Sequence, residues 1–494
     1  MNIAKAKEYI KNTVTLYLKK DEFGDYRIPV VRQRPVFLLG APGIGKTAIM
    51  EQIASELGIA LVSYSMTHHT RQSALGLPFI DKKEYDGNTY DVSEYTMSEI
   101  IASVYETMEK SGVREGILFL DEINCVSETL FPSMLQFLQF KIFGRHRVPD
   151  GWVIVTAGNP PEYNRSVREF DVVTLDRLKV ITVEADYPAW KAYALEKGLH
   201  GAIMGFLENK KDYFYHIETT SEGRSYVTAR GWEDLSDIIN LYEEDGLKVS
   251  ESLIGQYLRN DKIVREFAAY YDLYIKYRAS YNAEALLSGD INESVAEKAG
   301  KAPMDERLSL VGILLDKVKG EVKDIMHLAD DYKEILPALK SVKESADVAA
   351  ALKTQIEARN TIISKKEMSG SLSSSEKRKH KRIKSLFGLM LAGVNEDDKN
   401  AAEVVSKIYN DKVAALKEST KAEQERLHNL FVILSTFFGD ESNEMLVAVT
   451  ELTLSDSTAR FFNTFGSEDY DKYNALLMVQ DRKEDLRKEI DNLV

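Results

Sequence analysis

The segment VFLLGAPGIGKTAIMEQIASEL, residues 36–57, decides the fold, because it joins an apolar strand, a glycine-rich turn and a helical pattern. Its turn, GAPGIGKT at residues 40–47, satisfies the motif G-x-x-x-x-G-K-[S/T] in the strand, loop and helix context that the motif requires. Glycines let consecutive backbone N–H groups and the helix N-terminus point at phosphate oxygens. Lys46 then reaches the β- and γ-phosphates, and Thr47 offers its hydroxyl to Mg²⁺.

This motif defines the predicted nucleotide-binding residues. They are Gly40, Ala41, Pro42, Gly43, Ile44, Gly45, Lys46, Thr47 and Ala48, with Thr47 also a predicted metal ligand. The alternative interpretation is an ordinary strand-to-helix glycine turn.

Residues 34–185 around this turn alternate short apolar runs with longer helical patterns, which is typical of a parallel sheet covered by helices. We therefore predict an α/β fold. The stretch PFIDKKEYDGNTYDVSEY, residues 78–95, has apolar and aromatic positions on both sides of Asp-Gly-Asn and predicts an inserted β-hairpin. FKIFGRHRVPDGW, residues 140–152, predicts a second hairpin or an extended loop.

Polar side chains end two further strands of the predicted sheet. GILFLDE, residues 116–122, ends in two acids, of which Asp121 can hold Mg²⁺ and Glu122 can orient and deprotonate the attacking water. WVIVTAGN ends at Asn159, and ligand groups gather beyond the carboxyl ends of parallel strands. The alternatives are a solvated acid at a strand end and, at Asn159, the start of a turn.

Together with the DR of Asp176 and Arg177 and the arginine of VTARGWEDLS, these motifs resemble the AAA+ ATPases of the MoxR type over about residues 1–290. The resemblance implies that residues 40–47 are Walker A, that Asp121 and Glu122 are Walker B, and that Asn159 is sensor 1. It further implies that Arg177 is an arginine finger in a neighbouring subunit's site and that Arg230 is sensor 2. An ordinary surface ion pair is the alternative for Arg177.

The resemblance also implies a biochemical role. Its members bind Mg–ATP between the subunits of a ring, which is expected to be a hexamer, and hydrolyse it. They act as chaperone-like remodelling or maturation factors, commonly with a protein partner that has a von Willebrand factor A domain. Two rival functions remain open, namely a nucleotide-gated scaffold and a motor on nucleic acid.

The charge balance of the chain argues against the motor on nucleic acid. The 494 residues have 64 Lys and Arg against 78 Asp and Glu, and the net charge of −14 disfavours nucleic acid and anionic lipid as partners. No apolar stretch approaches the ~20 residues of a membrane span, and the N-terminal residues have helical spacing instead of a signal peptide, which predicts a cytoplasmic protein. The single Cys125 is expected to be a packing residue, with a reactive low-pKa thiol as the alternative.

We predict three domains, namely a nucleotide-binding core at 1–185, a helical lid at 186–290 and an α-helical extension at 291–494. In the extension, helical spacing predicts one buried face of Leu308, Val311, Leu315, Val318 and Val322. A polar, basic loop is predicted near 369–384, as a solvated segment or as a phosphate-contacting patch. Arg71 is a weaker candidate for contacts with a subunit or substrate, and the His68–His69 pair is not expected to bind metal.

Overall fold

The chain divides into two units in the computed structural model, which describes residues 1–68, 74, 76–163, 167–220, 223–394 and 400–476. The first unit consists of Met1–Asp186 and Lys353–Ser385. The second consists of Tyr187–Leu352 and the described residues from Leu386 onward. None of the described helices combines the length and the hydropathy that a bilayer span requires. The three domain ranges drawn from the sequence stay a prediction.

The strands are β1 (Val36–Gly40), β2 (Ala60–Ser65), β3 (Pro78–Tyr85), β4 (Asn88–Tyr95), β5 (Gly116–Asp121), β6 (Ile142–Phe143), β7 (His146–Arg147), β8 (Trp152–Gly158), β9 (Lys179–Val183), β10 (His216–Thr220) and β11 (Gly223–Val227). The helices are α1 (Ile3–Tyr17), α2 (Lys46–Leu57), α3 (Glu99–Ser111), α4 (Phe131–Phe140), α5 (Val172–Leu175), α6 (Tyr187–Lys197), α7 (Gly201–Asn209), α8 (Ala229–Glu244), α9 (Glu251–Tyr257), α10 (Asp261–Ser280), α11 (Ala283–Leu287), α12 (Glu293–Gly300), α13 (Met304–Lys343), α14 (Val348–Met368), α15 (Ser374–Ala392), α16 (Ala401–Phe438), α17 (Asn443–Leu454) and α18 (Asp456–Phe465). Residues 468–476 are helical as well.

A five-stranded sheet forms the centre of the first unit. Its order is β2-β5-β8-β1-β9, and every neighbouring pair is parallel. β8 is buried along its whole length and β5 along all but its last residue, as expected where helices cover both faces of a parallel sheet. Strands β2, β5 and β8 lie on one side of β1, and β9 lies on the other side. The strand order therefore reverses beside β1, and such a switch point leaves a crevice at the carboxyl ends of the strands.

Two hairpins are inserted where the sequence predicts them. β3 and β4 pair through a tight turn in which Asp86 and Gly87 both have positive φ, of 52° and 76°, which suits the right-handed twist of the strands. β6 and β7 form a hairpin of only two residue pairs. The carboxylate of Glu94 on β4 pairs with Lys83 on β3 and with Arg145 at the tip of the second hairpin. One acid thus joins the two hairpins.

An arm from the C-terminal half of the chain, residues 353–385 of α14 and α15, belongs to the first unit. The Leu61 N–H on the edge strand β2 donates to the Ser369 carbonyl, at 2.8 Å, and the Ser55 hydroxyl on α2 donates to Glu376, at 3.0 Å. The arm thus covers a sheet edge that would otherwise expose unpaired backbone groups. Of the range predicted as a polar loop, residues 374–384 are helical, and there Lys377 pairs with Glu367.

The second unit is largely helical and has a core rich in aromatic residues, among them Trp232 and Phe267. The five residues predicted to share one face of α13 are all buried, which confirms that pattern. The antiparallel β10–β11 hairpin was not predicted. Its strands are only five residues long, and a backbone bridge from Tyr226 to Arg259 contributes a contact distant in sequence. Otherwise the predicted α/β fold, followed by a helical region and an all-helical C-terminal part, is confirmed.

Candidate functional site

The loop between β1 and α2 is shaped by its glycines. Gly43 and Gly45 have φ of 73° and 94°, which side chains with a Cβ rarely adopt. A Cβ on Gly40 would lie 2.7 Å from the Val183 carbonyl oxygen, so that the close approach of β9 also requires glycine. Lys46 is the first residue of α2, and its side chain turns back over this loop.

The Lys46 ammonium group is buried at the carboxyl end of strand β1. Its Nζ donates to the carbonyls of Gly40 and Ala41, at 2.7 and 2.8 Å, and to Oδ1 of Asn159, at 2.9 Å. Asn159 directly follows β8, the neighbour of β1 in the sheet. Two residues that are 113 positions apart in sequence therefore meet because their strands are adjacent.

Thr47 and Asp121 form the second pair of the site. The Thr47 hydroxyl donates to Oδ2 of Asp121, at 3.0 Å, and the other carboxylate oxygen accepts from the Glu122 N–H, at 2.9 Å. A hydroxyl and a carboxylate are hard oxygen donors of the kind that Mg²⁺ prefers. The two residues predicted to hold the metal thus fit that ion in chemistry and in proximity.

Glu122 has a constrained backbone and two hydroxyl partners. Its φ is +55°, an uncommon conformation for a residue other than glycine. Its Oε2 accepts from the hydroxyls of Ser65 and Thr67, each at 3.0 Å. Sequence reasoning missed both partners. The available signal was that Ser65 ends β2, which places it at the same edge of the sheet as Asp121.

Asn124 is the other residue of the site that the sequence analysis did not identify. It lies in a single 3₁₀ turn, Ile123–Cys125, and its Nδ2 donates to the main-chain carbonyl of Asn159, at 2.8 Å. Its position two residues after Glu122 was visible in the sequence, but the direction of its side chain was not.

Both candidate arginines are exposed to solvent. Arg177 is exposed just beyond α5, beside Val172 and Val173, which are 81% and 61% exposed. Within the described residues its guanidinium makes no hydrogen bond to the phosphate loop. Arg230 belongs to the second unit, where it is exposed in the first turn of α8. The structure thus assembles the loop, both acids and Asn159, and presents both arginines to solvent.

The remaining candidates have simpler outcomes. Burial raises the pKa of the Cys125 thiol, and the Glu122 and Asp121 carboxylates raise it further. A reactive low-pKa thiol is therefore wrong for Cys125, because neighbouring negative charge disfavours the thiolate. His69 and Arg71 lie outside the described residues, and so does the side chain of His68.

Comparison with known proteins bears on the region that holds this site. A search of curated proteins finds no match. Among solved structures, a chain of NtrX from Brucella abortus is 16% identical, over 41% of this chain and 44% of that chain, with a TM-score of 0.22. The match spans less than half of the NtrX chain. Residues 36–172 match the family described as "ATPase family associated with various cellular activities (AAA)". This part of the chain is therefore an AAA ATPase domain.

Proposed function

We propose that the chain binds Mg–ATP at the edge formed by β1, β5 and β8 and hydrolyses it. The observation that carries the proposal is the meeting of Lys46 with Asn159 and of Thr47 with Asp121 at adjacent strand ends. Bound Mg²⁺ would be held by Thr47 and Asp121 and would supply positive charge to the β- and γ-phosphates.

Lys46 is suited to exchange its partners for a nucleotide. Its Nζ donates to two carbonyls and one amide oxygen, all of which are neutral acceptors. Phosphate oxygens are charged and form stronger hydrogen bonds with an ammonium group. The phosphates of a bound nucleotide would therefore draw Lys46 away from the loop carbonyls. The N–H groups of the loop and of the first turn of α2 would donate hydrogen bonds to the other phosphate oxygens.

Glu122 is the proposed general base. Its carboxylate lies next to Asp121 and is oriented by the hydroxyls of Ser65 and Thr67. A carboxylate in this position can align the attacking water and accept its proton. Asn159 would contact the γ-phosphate through the side-chain amide that now faces Lys46.

The oligomeric part of the proposal is a ring of subunits, with a hexamer as the specific expectation. The exposed Arg177 and its exposed neighbours Val172 and Val173 are compatible with a surface that meets a second copy. In such a ring Arg177 would supply its charge to the neighbouring site. The resemblance to MoxR-type proteins supports a chaperone-like role on a protein partner, including one with a von Willebrand factor A domain, in the cytoplasm.

The test is the conservative substitution Glu122→Gln. Because the amide preserves shape but cannot take up the proton of water, we expect ATP affinity within about threefold of wild type and turnover reduced at least about 100-fold. Phosphate release and calorimetry measure the two quantities. Glu109→Gln, an exposed acid on α3, is the matched control and is expected to leave both unchanged. Wild-type turnover in Glu122→Gln would exclude Glu122 as the base, and an inactive wild-type protein would favour the scaffold.

A further inference from the structure

Asn124 connects three parts of the proposed ATPase site. It follows Glu122 by two residues, and its Nδ2 donates to the Asn159 carbonyl at 2.8 Å. Its own main-chain carbonyl accepts from the N–H of Arg168, also at 2.8 Å. Arg168 begins the stretch that leads to α5 and Arg177. One turn residue thus contacts the end of β8 and the start of the segment that carries the candidate finger.

This arrangement has a free-energy cost. Asn124 is 3% exposed, and within the described part of the chain its Oδ1 is buried without a hydrogen-bond partner. A buried polar atom left unpaired has lost its hydrogen bonds to water without replacement, which destabilises the fold. That cost is at least as large as the net contribution of a single hydrogen bond such as the one to Asn159. Fold stability alone is therefore a poor reason for an asparagine here.

Gly158 provides the space that this amide occupies. A Cβ on Gly158 would lie 2.4 Å from Oδ1 and 2.7 Å from Cγ of Asn124. These distances are far below van der Waals contact, so that any side chain at position 158 would displace the amide. The last residue of β8 and the turn after β5 are thus fitted to each other.

We propose that Asn124 is a positioning residue for ATP hydrolysis, which acts by fixing Asn159. This inference rests on the proposed function. Asn124 anchors the main chain of residue 159, and the side chain of that same residue meets Lys46 Nζ at 2.9 Å. Because its amide atoms are buried, Asn124 does not itself touch the nucleotide. Without the anchor, the Asn159 carbonyl loses its hydrogen bond to Asn124, and the Asn159 amide shifts from the position from which it faces the γ-phosphate.

The expected signature is a loss of kcat without a loss of binding. Asn124→Ala leaves the phosphate loop, Lys46 and Thr47 intact, so that the ATP dissociation constant should stay within about threefold of wild type. A displacement of about 1 Å in a catalytic group lowers the rate by roughly 100-fold, and we expect kcat to fall by about that factor. Thr129→Ala, an exposed position just beyond the same turn, is the control and should change neither value.

A double-mutant cycle with Asn159→Ala tests whether the effect passes through Asn159. If it does, Asn124→Ala combined with Asn159→Ala should be no slower than Asn159→Ala alone. Gly158→Ala provides a second route, because its Cβ should displace the amide and lower kcat in the same way. In the Asn124→Ala background, Gly158→Ala should add little, since the side chain that it would displace is gone.

Three results would overturn the inference. The first is an unchanged kcat in folded Asn124→Ala. The second is a double mutant, Asn124→Ala with Asn159→Ala, whose kcat falls by the product of the two single losses. The third is a loss of ATP binding in Asn124→Ala as large as its loss of kcat. If the wild-type protein binds ATP but shows no turnover at all, the proposed function itself fails, and the inference fails with it. Active wild type with an unaffected Asn124→Ala would refute the inference alone. Thermal unfolding of each variant with and without ATP identifies any variant that merely fails to fold.

Discussion

Lys46 in the first unit and Glu451 in the second are both buried, but their charges are compensated in contrasting ways. In the first unit, Lys46 donates to carbonyls and to an amide, which are neutral groups. In the second unit, Glu451 lies between two lysines, with Lys319 at 2.8 Å and Lys191 at 3.6 Å. Neutral acceptors yield to a phosphate, whereas a buried ion pair loses its compensation when either member is removed. The first arrangement is therefore suited to ligand exchange and the second to stability.

The size of a cavity does not identify the site suited to ligand exchange. A cavity of about 540 Å³ lies in the second unit, among residues that include Glu243, Asp316 and Lys319. Polar groups around it contact one another, as in the contacts of Glu243 with His200 and Arg278, at 3.2 and 2.7 Å. The site in the first unit is recognised by the convergence of its polar groups instead of by its volume.

Removing the exchangeable cation should have the largest effect on ligand binding. We expect Lys46→Ala to lower ATP affinity below detection by calorimetry, because the cation that faces the phosphates is gone. Lys319→Met in the second unit is the contrasting variant. It should leave the affinity unchanged while it lowers the unfolding temperature. If Lys46→Ala binds ATP as tightly as the wild type, the assignment of the nucleotide site to Lys46 and its neighbours is wrong.

The exposed Arg177 should affect turnover and not binding. If it acts in a neighbouring subunit, Arg177→Ala should bind ATP normally and lose hydrolysis by about 10³-fold. Mixing it with Lys46→Ala should restore part of the activity, because the first variant supplies the phosphate loop and the second supplies the finger. Phosphate release measures the rescue, and native mass spectrometry verifies the mixed oligomers. Absence of rescue in verified mixtures would argue against action between subunits.

Breaking the buried ion pairs should cost stability. Burial opposes ionisation of Glu451, but Lys319 and Lys191 outweigh it and hold its pKa below the ordinary range. Its contribution to stability is therefore present above the unfolded pKa and is lost as the pH falls through the folded one. Glu451→Gln should lower the free energy of unfolding in urea at pH 7 by about 3 kcal/mol. Glu441→Gln, an exposed acid just before α17, should change it by less than about 0.5 kcal/mol.

Glu423 provides a smaller, pH-dependent test in the same unit. Burial and the neighbouring Glu321 carboxylate raise its pKa to about 9, and Arg426 only partly offsets them. Because the folded pKa exceeds the unfolded one, the stabilising contribution is complete below about pH 4.5 and is lost towards pH 9.

Glu423→Gln should remove the loss of stability that Glu423 causes as the pH rises, because the amide does not ionise. Relative to wild type, its free energy of unfolding should rise between pH 5 and pH 8 by at least about 1.4 kcal/mol, the equivalent of one pKa unit. Urea unfolding at the two pH values measures the difference. The exposed neighbour Glu425→Gln should show no such pH dependence. A constant difference between Glu423→Gln and wild type would mean that Glu423 is already ionised at pH 5.

The sequence by itself determined the phosphate loop, the two acids at the carboxyl end of β5 and the parallel sheet. Each of these is local, because a contiguous motif dictates it: residues 40–47 need their glycines for backbone conformation, and the strands are short apolar runs. Asn159 was also predictable, since parallel strands place their carboxyl ends at one edge of the sheet.

Only the tertiary structure decided how these groups are supported. The contacts of Ser65 with Glu122 and of Asn124 with Asn159 join residues 57 and 35 positions apart, and Ser55 meets Glu376 from 321 positions away. No local pattern encodes such pairs, because side-chain direction depends on how strands and turns pack. The arm on β2 and the β10–β11 hairpin escaped prediction for the same reason, since each is completed by backbone hydrogen bonds to a segment distant in sequence.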